Sequence, residues 1–245
     1  MDPAPSPEPP APSPWAARLV ALIEVLICSE YPTQLALNAT FIALGYGPYR
    51  SDGDLRIGYV VGLSLLDAAL LVGLVILFLR AHQESPQQVL LGNRRLPREI
   101  AAGIPMTFIA LAIGVGVLLL AQRFAPQLHT VPENPLQGLL RSKRNALLLG
   151  LVVIVAGGVR EEIQRAFLLH RFEQWLGGGI VGVVITSAAF GAGHLYEGID
   201  AGVATGLLGA FWGIVYLRRR SMIAPMVSHA GFDLLQIVQF VVTGR

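Results

Sequence analysis

Long apolar runs, several close to the roughly 20 residues that carry a helix across about 30 Å of hydrocarbon, govern what this chain can fold into. They span Ile57 to Leu79, Ala101 to Ala121, Ala146 to about Phe172, Gly178 to His194, Ala201 to Leu217 and Met222 to Val242. Before them, Leu19 to Gly45 is a longer apolar stretch interrupted by Glu24, Glu30 and Pro32. It is too long for one upright span, so a tilted or broken helix is expected there. The reading is an all-α, polytopic membrane bundle of about seven transmembrane helices.

Composition agrees. Hydrophobic residues make up 53% of the 245 and charged ones only 14%, against about 25% charged in an ordinary soluble domain, and mean hydropathy is +0.59. A water-soluble globule has no interior large enough for that surface, so membrane lipid is the expected solvent. The net charge of +2 is spread over short basic clusters between apolar runs, which argues against a nucleic-acid partner and for topology signals. The single cysteine, Cys28, excludes an intrachain disulfide and a cysteine-rich metal site.

The N-terminal residues Asp2 to Pro14, DPAPSPEPPAPSP, lack a basic n-region and an apolar h-region, so residues 1–15 read as a disordered, Pro-rich arm and not as a signal peptide. Residues 16–245 then form one transmembrane domain, with its chemistry in 146–242. Arg80, Arg94, Arg95 and Arg98, then Arg171, then Arg218, Arg219 and Arg220 follow alternate spans. The positive-inside rule places these connections, and with them the N-terminus, in the cytoplasm of a plasma-membrane protein. Arg141, Lys143 and Arg144 lie on the opposite side of that arrangement. The segment from Gln87 to Ile100 has room for an amphipathic piece at the interface.

Ionisable groups inside a bilayer are expensive and mark function by default. Three C-terminal spans carry them: Glu161, Glu162 and Arg165 in GGVREEIQRAFLLHRFE, Phe190 and His194 in FGAGH, and His229 and Asp233 in SHAGFD. Glu161 precedes Gly178 by 17 residues and His194 follows it by 16. A hairpin turning at Gly177 to Gly179 therefore sets both about 24 Å from the turn, and the same rise puts His229 and Asp233 roughly 14 and 20 Å from Arg220. Glu161 to Arg165, Phe190 to His194 and His229 to Asp233 are each i, i+4 pairs on one helical face.

Such a set suits water activation. Arg165 neutralises one glutamate and leaves the other desolvated enough to exchange a proton. With a histidine opposite, that glutamate can deprotonate water for attack on a peptide carbonyl, while His229 and Asp233 stabilise the oxyanion or orient the scissile bond. Gly157, Gly158, Gly191, Gly193 and Gly231 would let helices approach closely around the cavity. Glu161, His194 and His229 are also a conceivable zinc set, although neither HExxH nor paired ExxH motifs occur.

These residues resemble the three motifs of the CPBP (CAAX protease/bacteriocin-processing, or Abi) intramembrane peptidases, which include type II CAAX prenyl endopeptidases. Those motifs are a glutamate pair followed by arginine, FxxxH, and HxxxN or HxxxD. Phe190 with His194 and His229 with Asp233 match residue for residue. The first motif is one residue shorter than the family pattern, with two residues between Glu162 and Arg165, and alignment on the arginine sets Arg160 at the first glutamate. By order in the pair Glu161 is favoured as the base, then Glu162. The resemblance implies a glutamate-activated water, no obligatory cofactor, and a peptide or prenylated, CAAX-like protein as substrate.

Blander readings exist for each element. The glutamates with Arg165 would also serve as a buried ion cluster that fixes helix packing, His194 as a span-end histidine at interfacial water, and His229 with Asp233 as a helix-stabilising pair. Asp67, Glu24 and Glu30 read as packing or hydration partners. At the level of the whole protein, the rivals are a noncatalytic membrane scaffold or binding protein and a proton-coupled carrier that uses the same buried groups. A carrier of the kind built from inverted repeats would show paired halves with matching broken helices, and none is seen in this sequence.

Overall fold

Every long apolar run folds as helix, the geometry that satisfies all backbone polar groups within the segment. A computed structural model describes residues 13–132, 136–140 and 142–244. In chain order the α-helices are α1 (Pro14–Ile27), α2 (Tyr31–Ala43), α3 (Ile57–Ala81), α4 (Pro86–Leu90), α5 (Leu96–Phe124), α6 (Gln137–Leu140), α7 (Lys143–Val152), α8 (Glu161–Trp175), α9 (Gly179–Gly193), α10 (Ile199–Arg219) and α11 (Ile223–Thr243). A π-helical stretch, Val153–Arg160, joins α7 directly to α8. Among the described residues the chain has no strand beyond one isolated bridge, Tyr49 to Leu55. Residues 1–12 of the expected arm lie outside the described residues, whereas Pro14 and Trp15 already belong to α1, with Ser13 as its cap.

Four helices are long and apolar enough to cross a membrane: α3, α5, α10 and α11. The first apolar stretch is broken as expected, α1 and α2 being bent by 43° at Cys28 to Glu30, and this pair makes a fifth candidate. The count of seven is not reached by these measures, for two physical reasons. The helix α9 has only 15 residues, about 22 Å at 1.5 Å per residue, and the continuous helical path through α7, the π-stretch and α8 is too polar to pass as one apolar span. Within 87–100 the structure has most of the five-residue α4 and the first turn of α5.

One end of the bundle collects the arginines. There Arg219 makes two bonds to Glu99, at 2.8 and 2.7 Å, Arg220 pairs with Glu173, and Arg94 Nε donates to the Arg219 carbonyl at 2.6 Å. Arg171, read as a topology signal, is buried and ion-paired as well. It is 2% exposed and bound to Glu24 at 2.5 Å and Glu84 at 2.6 Å, so it ties α8 to α1 and to the α3–α4 loop. Lys143 and Arg144 are exposed at the start of α7, and Arg141 lies outside the described residues.

Close helix approaches bring the motif-bearing elements together. A Cβ on Gly158 would come within 2.6 Å of the Ala230 Cβ, so the π-stretch packs against the backbone of α11. A Cβ on Gly157 would lie 2.6 Å from Asp233 Oδ2. On the far side of α11, Gly103 sits against Val227 and the Ala224 carbonyl of that helix, so α11 is held between α5 and the π-stretch. Small residues at contacts are how helices associate where hydrophobic burial offers no preference for protein over lipid.

Candidate active site

The site is built where α8, α9, α10 and α11 converge. Glu161 and Glu162 occupy the first turn of α8, directly after the π-helical stretch. A π-turn takes five residues where an α-turn takes four, so it re-aims the helix beyond it, and such insertions concentrate at functional sites. Gly157 and Gly158 were legible as close-packing residues, but the change of helix type was not.

The two glutamates face different partners. Glu162, 1% exposed, accepts through Oε1 from Arg165 Nη1 and lies 2.8 Å from His229 Nδ1. Because an ionised carboxylate only accepts, this bond puts a proton on His229 Nδ1 and leaves Nε2 pointing the other way. There Nε2 is 3.7 Å from Glu161 Oε2 and 3.7 Å from Asp233 Oδ2. These separations are too long for direct hydrogen bonds and suit a bridging water. Glu161 Oε2 is buried and has no hydrogen-bond partner, while its Oε1 accepts a long bond of 3.4 Å from Arg160 Nη2.

Aromatic rings hold the histidines. Trp212 of α10 stacks on His229 with ring centroids 3.8 Å apart and planes 17° apart, and its Nε1 donates to Ser228 Oγ at 3.1 Å. Phe190 lies edge-on to His194 at 4.8 Å and to His229 at 6.1 Å. The Arg165 guanidinium caps both aromatic rings, 4.9 Å from Phe190 and 5.6 Å from Trp212. His194, at the C-terminus of α9, has Nδ1 2.9 Å from the Phe190 carbonyl, which makes Nδ1 the donor and Nε2 the free nitrogen.

All seven residues singled out in the sequence, Glu161, Glu162, Arg165, Phe190, His194, His229 and Asp233, therefore line one site. Arg165 takes Glu162 as its partner, and Glu161 keeps a free oxygen. Sequence reasoning missed Trp212, whose apolar setting in α10 gives no sign that it stacks on a histidine. It also missed the environment of Arg160, which is 4% exposed and ion-paired with Glu30, with Glu161 at 3.4 Å and with Asp67 at 3.9 Å. Glu30 and Asp67, read as packing or hydration partners, are thus brought beside the site. The adjacency of Arg160 to the glutamate pair was the available signal.

Burial falls off across the site in a useful order. His229 and Glu162 are buried, Glu161 and Asp233 keep 12% and 20% of their side-chain surface, and His194 is half-buried. Water and a peptide would thus meet Glu161, Asp233 and His194 first, with Glu162 and Arg165 behind them. Zinc would need its ligands converging at about 2.0–2.2 Å from one point. Among the described residues no three His, Cys, Asp or Glu side chains are so arranged, while the His229 Nδ1 bond to Glu162 leaves Nε2 open.

No curated protein and no solved structure matches the chain. The stretch 143–235, which carries all three motifs and every residue of the site except those contributed by α1–α2 and α3, matches the family model described as Type II CAAX prenyl endopeptidase Rce1-like, a protease family.

Proposed function

We propose that this protein is an intramembrane endopeptidase that hydrolyses a peptide bond of a membrane-associated or prenylated, CAAX-like substrate with a water activated by Glu161. The observation that carries the reading is the buried, unpaired Glu161 Oε2, 3.7 Å from His229 Nε2 and at the more open edge of the cluster. Glu162 is the poorer base because Arg165 and His229 already occupy its Oε1. It serves to fix the His229 ring and its tautomer.

In this mechanism the Glu161 carboxylate takes a proton from water as the water oxygen bonds to the scissile carbonyl carbon. The carbonyl π-electrons move to oxygen, and His229, as an imidazolium that keeps its Nδ1 bond to Glu162, stabilises that oxyanion through Nε2–H, while the free Nε2 of His194 helps to hold the attacking water. Collapse of the tetrahedral intermediate breaks the C–N bond, and protonated Glu161 returns its proton to the leaving nitrogen. Asp233, beside His229 Nε2, supports the positive charge on the imidazole. No step requires a metal. The arginine-rich end faces the cytoplasm of the plasma membrane in this reading, and the N-terminus with it.

The test is cleavage by purified protein of a prenylated CAAX peptide and of a membrane-peptide library, with Glu161→Gln, Glu162→Gln and His194→Ala compared, each checked for folding. Loss in Glu161→Gln and His194→Ala, unchanged by chelator, is expected. Chelator-sensitive cleavage overturns the metal-free mechanism. A folded wild type that cleaves no library member overturns the peptidase reading, and proton flux in liposomes then separates a carrier from a scaffold.

A further inference from the structure

We propose that Glu30 is a positioning residue of the peptidase site, which draws the Arg160 guanidinium away from Glu161 so that Glu161 Oε2 stays free to take a proton from water. The inference rests on the peptidase reading above. Glu30 lies outside the stretch that resembles the proteases, on the break between α1 and α2.

The geometry is a competition for one cation. Arg160 is buried and faces three carboxylates, Glu30, Asp67 and Glu161. Its Nη1 pairs with Glu30 Oε2 and donates to Gln164 Oε1 at 3.2 Å, its Nε has no hydrogen-bond partner and lies 3.9 Å from Asp67, and only Nη2 reaches Glu161, at the long distance of 3.4 Å. Were Glu30 neutral, the nearest ionised acid to that guanidinium would be Glu161. A two-point Arg–carboxylate pair would then occupy both Glu161 oxygens, and a carboxylate so engaged is a weak base.

The backbone at Glu30 supports a positional role. Its φ is +79°, in the region that favours glycine, yet the residue carries a long charged side chain. Such strain persists where the surroundings over-determine it. Here Thr33 Oγ1 donates to the Glu30 carbonyl at 2.9 Å, Gln34 Nε2 donates to Glu30 Oε1, and Gln164 Nε2 donates to the Cys28 carbonyl at 2.9 Å, which locks the break onto α8. The strained residue points its carboxylate at the cation that touches the base.

The experiment measures kcat and KM across pH for wild type, Glu161→Gln, Glu30→Gln, Glu30→Asp and the double variant Glu30→Gln/Arg160→Gln, with detergent melting curves for all. Glu30→Gln is expected to lower kcat about 100-fold, the scale of a misplaced catalytic group, with KM changed less than threefold and the pH–rate profile displaced. Glu30→Asp should retain more activity. Removing Arg160 as well should recover at least tenfold over Glu30→Gln alone, because the competitor is gone. Glu30→Gln with wild-type kcat and pH profile, while Glu161→Gln is dead, overturns this inference and leaves the peptidase reading standing. A double variant no better than Glu30→Gln, or a loss that follows melting temperature alone, also overturns it. A wild type that cleaves nothing overturns both.

Discussion

Two buried ion clusters in this bundle treat their carboxylates in opposite ways. At the arginine-rich end, all four carboxylate oxygens of Glu24 and Glu84 are engaged. Glu24 Oε1 meets His82 at 2.6 Å and Oε2 meets Arg171 Nε at 2.5 Å, while Glu84 Oε1 meets His170 and Gln174 and Oε2 meets Arg171 Nη1. Around Glu161, by contrast, both oxygens of Asp67 and one of Glu161 are buried without a hydrogen bond. Leaving a buried polar atom unpaired costs about 1–3 kcal/mol. The first cluster carries that cost at a donor, Arg171 Nη2, and the second at carboxylate oxygens, where a base needs a free lone pair. On the proposed reading the first cluster joins helices and the second keeps a base available.

That contrast breaks most readily at Glu161. Glu161→Gln keeps the shape and removes the base, and cleavage should fall about 10³-fold, within the range ascribed to general base catalysis, while the melting temperature in detergent holds or rises. A variant that cleaves at the wild-type rate would make the unpaired oxygen a structural accident.

Arg171→Met should do the reverse. It strands Glu24 and Glu84 and should cost about 3–5 kcal/mol of stability, as for removal of one partner from a buried pair, with kcat per folded molecule unchanged. A fall in kcat per folded molecule would show that the two clusters are coupled.

A finer test uses pH at Glu84, which lies in the loop between α3 and α4. Burial pushes its carboxyl up, but hydrogen bonds from Gln174, Arg171 and His170, with the Arg171 charge, outweigh burial and hold it below the ordinary carboxylate range. A carboxyl held down in the folded state contributes stability above its unfolded value, and that contribution is lost as pH falls through the lowered folded value. Glu84→Gln should therefore cost about 1–2 kcal/mol at neutral pH and flatten the acid limb of stability against pH. An unchanged acid limb would place that sensitivity elsewhere.

The smallest effect is expected at Trp212. Trp212→Phe keeps a ring over His229 but gives up the bond to Ser228, and kcat should fall a few-fold, for about 1 kcal/mol of lost hydrogen bonding. A loss as large as that of Glu161→Gln would promote the Trp212–His229 stack from support to an essential part of the oxyanion site.

Much of this architecture is readable from the chain alone. Apolar run length set the helices because lipid leaves the backbone no other partner, and the break near Pro32 came from a run too long for one span. The i, i+4 pairs placed each motif on one face, and equal distance from the Gly177 to Gly179 turn put Glu161 and His194 in register.

What the sequence by itself determined is what local physics controls: helix, apolar span, and the helical face of each ionisable group. Which carboxylate is free was decided only by the tertiary structure. Arg165 could reach either glutamate along its own helix, and Arg160 contacts Glu161. The choice depends on His229 arriving from α11, 67 residues away, and on Glu30 arriving from the α1–α2 break. Periodicity reports where a side chain points along its own helix, and the partners that tie up or release a charge come from other helices.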